Sequence, residues 1–230
     1  MIIALDTSTS FGGVAIVKAD KLIAECTLNV KKTHSERLMS SLEWLMAEAD
    51  VTLEQITGIA CGVGPGSFTG VRIAVSAAKC LAYARRIPLV GVCSLDALAY
   101  DCRMKTVAMI DARHERAFSA TFEPSEGNTF EIVGEYCLES VKNIVEEAIK
   151  GDEKVVFTGD GAVAYRDIIE ENAEGKALFV ERGLSHVRPA NIGLLGVKYL
   201  DEGRVSDIEN LVPFYLRESE PEIKRKREEI

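Results

Sequence analysis

The first seventeen residues decide the fold class: Met1-Ile2-Ile3-Ala4-Leu5-Asp6-Thr7-Ser8-Thr9-Ser10-Phe11-Gly12-Gly13-Val14-Ala15-Ile16-Val17. The apolar run that ends at Asp6 predicts a buried strand, the polar segment closed by two glycines predicts a turn, and the last four residues predict a second strand. Such a turn presents backbone N–H groups to a phosphate, and an acid at the end of a strand holds Mg²⁺ through water. Asp6, Thr7 and Ser8 are therefore candidate nucleotide-binding residues, with an ordinary polar hairpin as the alternative.

A second segment, Phe157-Thr158-Gly159-Asp160-Gly161-Ala162, has the same order of strand, glycine turn and helix. Glycines allow the backbone to approach a ligand, and a helix N-terminus favours anions. This adds Gly159, Asp160 and Gly161 to the candidate nucleotide site. The aspartate would repel phosphate, so a packed strand-to-helix turn is the competing interpretation.

The order of predicted elements indicates an α/β protein with a duplicated architecture. The first hundred residues predict the order βββαβαβ, and a second series starts near Lys105 with another apolar strand that ends in an acid. We expect two similar subdomains, residues 1–103 and 104–217, with the last helix packing back on the first subdomain. A charged tail follows at 218–230, in which the role of the Lys224–Arg227 run stays open.

Composition narrows the class of protein. The 230 residues are 47% hydrophobic and carry a net charge of −9, which argues against independent binding of nucleic acid, because phosphate contacts need a basic surface. No apolar run approaches a membrane span, and the start has no basic region typical of a signal peptide, so we expect a cytoplasmic protein. The six cysteines form no C-x-x-C pair and the three histidines are far apart in sequence, so no metal site and no cofactor are expected.

The most specific segment is Gly62-Val63-Gly64-Pro65-Gly66-Ser67-Phe68-Thr69-Gly70-Val71-Arg72. It is similar to a phosphate loop but lacks the Gly-Lys-Ser/Thr ending. The part from Gly64 to Gly70 is predicted to be a loop that cannot be helical, followed by a helix from Val71 to Arg85. Before it, Thr33 and Glu36 have capping-box spacing at the start of another helix, in which Leu38, Leu42 and Leu45 share one face.

Together with Thr33-His34-Ser35-Glu36 and Pro213-Phe214-Tyr215-Leu216-Arg217, these motifs resemble the TsaB (YeaZ) family over nearly the whole chain. The resemblance implies an actin-like ATPase (ribonuclease H-like) fold, in which each subdomain has a mixed sheet flanked by helices. It implies a role in making threonylcarbamoyladenosine, the base next to the anticodon in tRNAs that read codons beginning with A. The implied partners are a paralogous catalytic TsaD subunit and, through that pair, the small ATPase TsaE, with tRNA bound only indirectly.

Compared with TsaD-like chains, two parts of a catalytic site are missing. Ser94 and Leu98 stand where the resemblance places two metal-binding histidines, and neither replaces an imidazole ligand. Ser10 and Phe11 stand where the TsaD opening carries two acids. The expectation is a non-catalytic partner subunit with no catalytic residues of its own.

If the protein acts by contact, the two helices of the first subdomain are the predicted interface with the TsaD-like subunit. About half of each apolar set is expected to face the sheet and half the partner, and two copies of the chain are expected to pair through the same surface when the partner is absent. The candidate interface residues are His34, Leu38, Leu42, Leu45, Val71, Arg72, Ala74, Val75 and Ala78.

Two alternatives remain open. An active ATPase or small-molecule kinase on the same fold is suggested by Asp6, Asp111 and the Gly159–Gly161 turn. A metallopeptidase is suggested only by the older glycoprotease-like naming of the family. Whether a nucleotide binds the degenerate cleft or the partner interface, and how two copies would be arranged, is left undecided by the sequence.

Overall fold

The structure is a computed structural model that describes residues 1–30, 34–125 and 129–216. The predicted helix cap at Thr33, the last residue of the Pro213–Arg217 motif and the charged tail at 218–230 lie outside these ranges. Within the described ranges, no helix combines the length and the apolar character that crossing a membrane requires.

The first subdomain is a five-stranded mixed sheet in the order β3-β2-β1-β4-β5, with β1 and β2 antiparallel and β1 and β4 parallel. Three strands come first, and two long helices then precede and follow β4. The elements are β1 Ile2–Asp6, β2 Gly12–Lys18, β3 Lys21–Leu28, α1 His34–Glu48, β4 Gly58–Gly62, α2 Phe68–Arg85 and β5 Leu89–Val92. A short 3₁₀ turn at Leu53–Gln55 precedes β4. The predicted order βββαβαβ is confirmed.

The second subdomain repeats this topology in the order β10-β9-β6-β7-β8, with β6 central, β7 and β8 antiparallel on one side and β9 and β10 parallel on the other. The helix α3 Ser94–Ala99 precedes it, and its own elements are β6 Thr106–Asp111, β7 Arg116–Ser125, β8 Thr129–Ser140, α4 Val141–Ala148, β9 Val155–Thr158, α5 Asp160–Ala164, α6 Arg166–Asn172, β10 Ala177–Phe179 and α7 Pro189–Asp201. Two five-stranded mixed sheets with the same strand order, each flanked by helices, confirm the actin-like α/β fold class.

Three apolar clusters hold this arrangement together. One lies between the first sheet and α1 and α2, and another between the second sheet and α4, α5 and α6. The third lies between the two sheets and takes in α3 and α7. Helix α7 packs on the first sheet, because Gly193 lies against Val17 and Ala4, and Gly196 lies against Ala60.

Three elements were missed from the sequence, and one boundary was wrong. Helix α3 and strands β8 and β10 were not predicted, and α2 begins at Phe68 rather than Val71, so the second half of the glycine loop is helical. The physical reason for the early start is Ser67, whose side-chain oxygen accepts a hydrogen bond from the N–H of Gly70 at 3.2 Å and caps the helix.

Candidate functional site

A cleft of about 770 Å³ lies between the two subdomains, where the β1–β2 turn and the start of α2 face the β6–β7 turn and the start of α5. The residues that line it form three groups. They are Ser8, Thr9, Ser10, His34 and residues 65–69 and 71 on the first side; Ile110, Asp111, Ala112, Arg113, Phe118, Asp160 and Ala164 on the second; and Phe214, Tyr215 and Leu216 along the border.

Asp6 lies beneath the floor of this cleft, at the end of β1. Its side chain is 1% exposed, and Oδ1 accepts hydrogen bonds from the N–H of Ser8 at 3.1 Å and from its hydroxyl at 2.9 Å. Burial raises the pKa of Asp6 to about 7, against the opposing effect of these hydrogen bonds and with a further small rise from Asp160. The carboxyl is therefore largely neutral below pH 7.

The glycine-rich loop is packed on the β1–β2 turn and is hydrogen-bonded to it. The N–H of Ser67 donates to the carbonyl of Ser8 at 2.7 Å, and the hydroxyl of Thr7 donates to the carbonyl of Gly70 at 2.6 Å. A Cβ on Gly66 or Gly70 would lie closer than 3.0 Å to the backbone of this turn. The glycines therefore allow two backbone segments to touch, whereas a phosphate loop leaves its N–H groups free for the ligand.

The glycine turn of the second subdomain is also packed against its own sheet. Gly159 has a φ of +100° and lies against the carbonyl of Met109, and the hydroxyl of Ser185 binds both the N–H and the carbonyl of Gly159, at 2.8 and 3.1 Å. Asp160 then begins α5, a helix of five residues, and accepts a hydrogen bond from the N–H of Asp111 at 3.1 Å. This geometry is that of a packed strand-to-helix turn, which was the competing interpretation of the segment in the sequence.

The charge at the cleft is unfavourable for a phosphate chain. Burial, with a smaller contribution from the charge of the neighbouring Asp111, raises the pKa of Asp160 to about 6. Asp111 itself accepts hydrogen bonds from the hydroxyl of Tyr165 at 2.6 Å and from the N–H of Arg113 at 2.7 Å. Among the described residues that line the cleft, the basic side chains are Arg113 and His34, and the ring of His34 is hydrogen-bonded to the carbonyl of Thr9 at 2.9 Å.

Of the four residues that the sequence places at TsaD-type site positions, Ser94 and Leu98 are buried, Phe11 is half-buried and Ser10 is exposed. Ser94 is buried, with its hydroxyl 3.5 Å from Oδ2 of Asp6, and Leu98 lies against Gly159. Phe11 stacks on His186 with ring centroids 4.3 Å apart. In the ranges that the structure describes, no group of three or more His, Cys, Asp or Glu side chains is placed to hold a metal ion.

The apolar residues predicted at the partner interface lie in the core. All seven are at most 4% exposed and pack against the first sheet, namely Leu38, Leu42, Leu45, Val71, Ala74, Val75 and Ala78. The expectation that half of them would face a partner was wrong, because both helices need their whole apolar stripe to cover the sheet. His34 is half-buried at the β1–β2 turn and Arg72 is exposed, with its guanidinium 3.8 Å from the centroid of the Phe68 ring.

The structure thus brings both candidate nucleotide segments to one cleft, with Ser8 and Asp160 at its surface and Asp6 and Thr7 beneath it. Sequence reasoning missed Arg113, Phe118 and Ser185. It named Phe214 and Tyr215 only as part of a family motif, although two aromatic residues next to a charged tail indicate a docked segment.

Comparison with known proteins identifies the family. The family model described as TsaD, tRNA N6-adenosine threonylcarbamoyltransferase, matches residues 21–225. The tRNA threonylcarbamoyladenosine biosynthesis protein TsaB of Bacillus subtilis (strain 168) is 31% identical over 97% of this chain and 96% of its own length. The protein of the same name from Escherichia coli (strain K12) is 29% identical over 94% of each chain.

The comparison with solved structures indicates the same family as the comparison of sequences. YeaZ from Pseudomonas aeruginosa superposes with a TM-score of 0.78 at 26% identity, covering 94% of this chain and 99% of that one. This coverage is large enough to include both sheets, so the likeness concerns the complete fold. The chain therefore belongs to the TsaB (YeaZ) family.

Proposed function

We propose that this protein takes part in the synthesis of threonylcarbamoyladenosine in tRNA as a non-catalytic subunit that binds a TsaD-type catalytic protein in the cytoplasm. Its relatives from B. subtilis and E. coli are named as biosynthesis proteins for this modification. The net charge of −9 supports contact with tRNA through the partner rather than directly. A TsaE-type ATPase would join through the pair.

The observation that carries the non-catalytic role is the internal use of the glycine-rich loop. The N–H of Ser67 and the carbonyl of Gly70 bind the β1–β2 turn, and the N–H of Gly70 binds its own helix cap. Phosphoryl transfer depends on donors and cations aimed at the phosphates. Here the N–H groups of Ser67 and Gly70 are already bound within the protein, and two acidic side chains have raised pKa values, Asp6 beneath the floor of the cleft and Asp160 at its surface.

The partner surface is inferred from what α1 and α2 leave exposed. Large apolar side chains on the outer side include Met39, Trp44 and Tyr83, which are 46, 55 and 78% exposed. On α2, the exposed residues Arg72, Ser76, Cys80 and Tyr83 are spaced four, four and three residues apart and so form one stripe. We call the exposed set Met39, Trp44, Arg72, Ser76, Cys80 and Tyr83 the partner face. Exposed aromatic residues are typical anchors of interfaces.

Replacing both Trp44 and Tyr83 by glutamate is expected to weaken binding to the TsaD-type protein at least about 30-fold, since even one buried aromatic anchor contributes about 2 kcal/mol or more. The binding constant is measured by calorimetry with the purified partner from the same organism. Both side chains are exposed in the isolated chain, so its thermal unfolding should stay unchanged. Homodimer formation, measured by sedimentation, should be lost in parallel.

The control is Leu184→Glu, which places the same charge on a residue that is 61% exposed but lies after β10, away from α1 and α2. Equal loss of binding in this control, or full binding by the double variant, would contradict the proposed face. Hydrolysis of ATP by the purified chain alone, abolished by Asp6→Ala, would contradict the non-catalytic role and favour the kinase or ATPase alternative.

A further inference from the structure

The last described residues of the chain cross from one subdomain to the other. We call residues 204–216 the C-terminal strap. Its first part is bound to the first sheet, where the N–H of Ser206 donates to the carbonyl of Leu89 at 2.8 Å, and Lys79 of α2 donates to the carbonyls of Glu209 and Leu211, at 3.0 and 3.2 Å. The strap then reaches the border of the cleft, where Phe214 donates its N–H to the carbonyl of Val63 at 2.7 Å.

The end of the strap contacts the ring of Tyr136 in the second subdomain, and Leu216 packs against the apolar cluster between the two sheets. Tyr136 on β8 meets Phe214 edge-on, with centroids 5.3 Å apart. The hydroxyl of Tyr136 donates to Oδ1 of Asp96 on α3 at 2.7 Å, and the other oxygen of that carboxyl accepts from Tyr199 on α7 at 3.2 Å. Asp96 is 8% exposed and packed among elements of both subdomains, so it fixes the position of the Tyr136 ring.

On its other side, the end of the strap determines the surroundings of Arg72. The ring of Tyr215 stacks on Phe68 at 4.8 Å, and its hydroxyl accepts a hydrogen bond from Nε of Arg72 at 2.8 Å. Arg72 lies in the exposed stripe of α2. A continuous set of contacts therefore runs from Asp96 through Tyr136, Phe214 and Tyr215 to Arg72.

We propose that the hydrogen bond from Tyr136 to Asp96 holds the C-terminal strap across the two subdomains and thereby orients Arg72 on the partner face. The strap end has two states, docked on Tyr136 and released, and a change in the relative position of the subdomains favours one of them. The docking of the strap end on Tyr136 is argued from the structure alone, whereas the effect on a partner rests on the proposed function.

Hydrogen exchange tests the docking step. Tyr136→Phe keeps the ring and removes only the hydroxyl. It is expected to speed exchange of the Phe214 amide, which donates to the carbonyl of Val63, about tenfold, since a hydrogen bond to a carboxyl fixes the Tyr136 ring. Tyr199→Phe is the matched control, because it removes a hydroxyl from the same carboxyl but its ring is not paired with Phe214. The amide of Ser206, at the other end of the strap, should be unaffected by either change.

Phe214→Leu is a second, independent variant, expected to release the strap end and to leave no further effect for Tyr136→Phe when the two are combined. Additive effects, or equal acceleration by Tyr136→Phe and Tyr199→Phe, would overturn the proposal.

Affinity for the partner, measured beside exchange, distinguishes a failure of this inference from a failure of the proposed function. Affinity of Tyr136→Phe for the TsaD-type protein should fall about threefold to tenfold, and Arg72→Ala should remove this sensitivity. If the unmodified protein does not bind the partner, the proposed function fails while the exchange result still decides docking. If it binds, and exchange accelerates while affinity stays unchanged, the orientation of Arg72 by the strap is overturned.

Discussion

Gly70→Ala is expected to lower the free energy of unfolding by about 3–5 kcal/mol, the range of severe overpacking. In an open helix the same change would stabilise by about 1 kcal/mol, because alanine is the better helix former. Here a Cβ would overlap the carbonyl of Thr7, whose side chain also binds the carbonyl of Gly70. The neighbour is backbone in a buried turn, so it cannot move aside. Denaturant unfolding measures the difference.

Two other glycines serve as controls for that prediction. Gly183 has no atom within 4 Å of a built Cβ, and its replacement by alanine should change stability by less than about 0.5 kcal/mol. Gly175 has a φ of +77° in open space, so its alanine variant should show only the backbone penalty of about 1–2 kcal/mol. If Gly70→Ala behaves like the Gly183 variant, the close packing of the loop on the turn is wrong.

Asp6→Asn is expected to stabilise the protein by on the order of 2–4 kcal/mol at pH 8 and to have little effect below pH 4. The folded protein keeps a proton on Asp6 up to a pKa of about 7, whereas the unfolded chain releases it near 3.8. Stability must therefore fall as pH rises through this window, because the folded state binds more protons. Asparagine is neutral at every pH, and its carbonyl can accept the two bonds from Ser8.

The measurement is the free energy of unfolding at several pH values from 4 to 8. The wild-type profile should decline over this range, and the Asp6→Asn profile should decline less, with the remaining slope due to Asp160, which has a pKa of about 6, and to Asp96, whose pKa is also raised by burial. Asp152→Asn removes an exposed carboxylate and should leave the profile as in the wild type. Identical profiles for wild type and Asp6→Asn would show that Asp6 does not hold the proton.

The first subdomain was predictable because its signals are local. The apolar run to Asp6, the glycine turn and the two amphipathic helices specify each element within ten to twenty residues. Strand β8 was missed because it is an edge strand, half exposed and interrupted by Gly134, so its pattern does not alternate. Strand β10 has three half-buried residues, which is too short for any periodic signal.

The cleft was predictable only in part. Asp6 ends β1 of the first sheet and Asp160 follows β9 of the second, so each was placed by its own strand, and the two sites face one cleft because the subdomains have the same topology. The partners of the N–H groups in the glycine-rich loop were not predictable. The same pattern of glycines occurs where a loop binds phosphate and where two backbone segments touch. The burial of Leu42 and Val75 was likewise hidden, since a helix stripe looks the same whether a sheet or a partner covers it.

The bridge between Leu89 and Ser206 has a further consequence for handling this protein. Strand β5 is the last strand of its sheet, and the strap occupies its open side through Ser206, which also accepts from the N–H of Gly91 at 3.1 Å. A chain cut after α7 would retain every strand of both sheets but would leave this row of backbone groups uncovered. Such a fragment would be prone to aggregate through pairing of its exposed edge strand. The segment after α7 therefore keeps the protein soluble by covering β5.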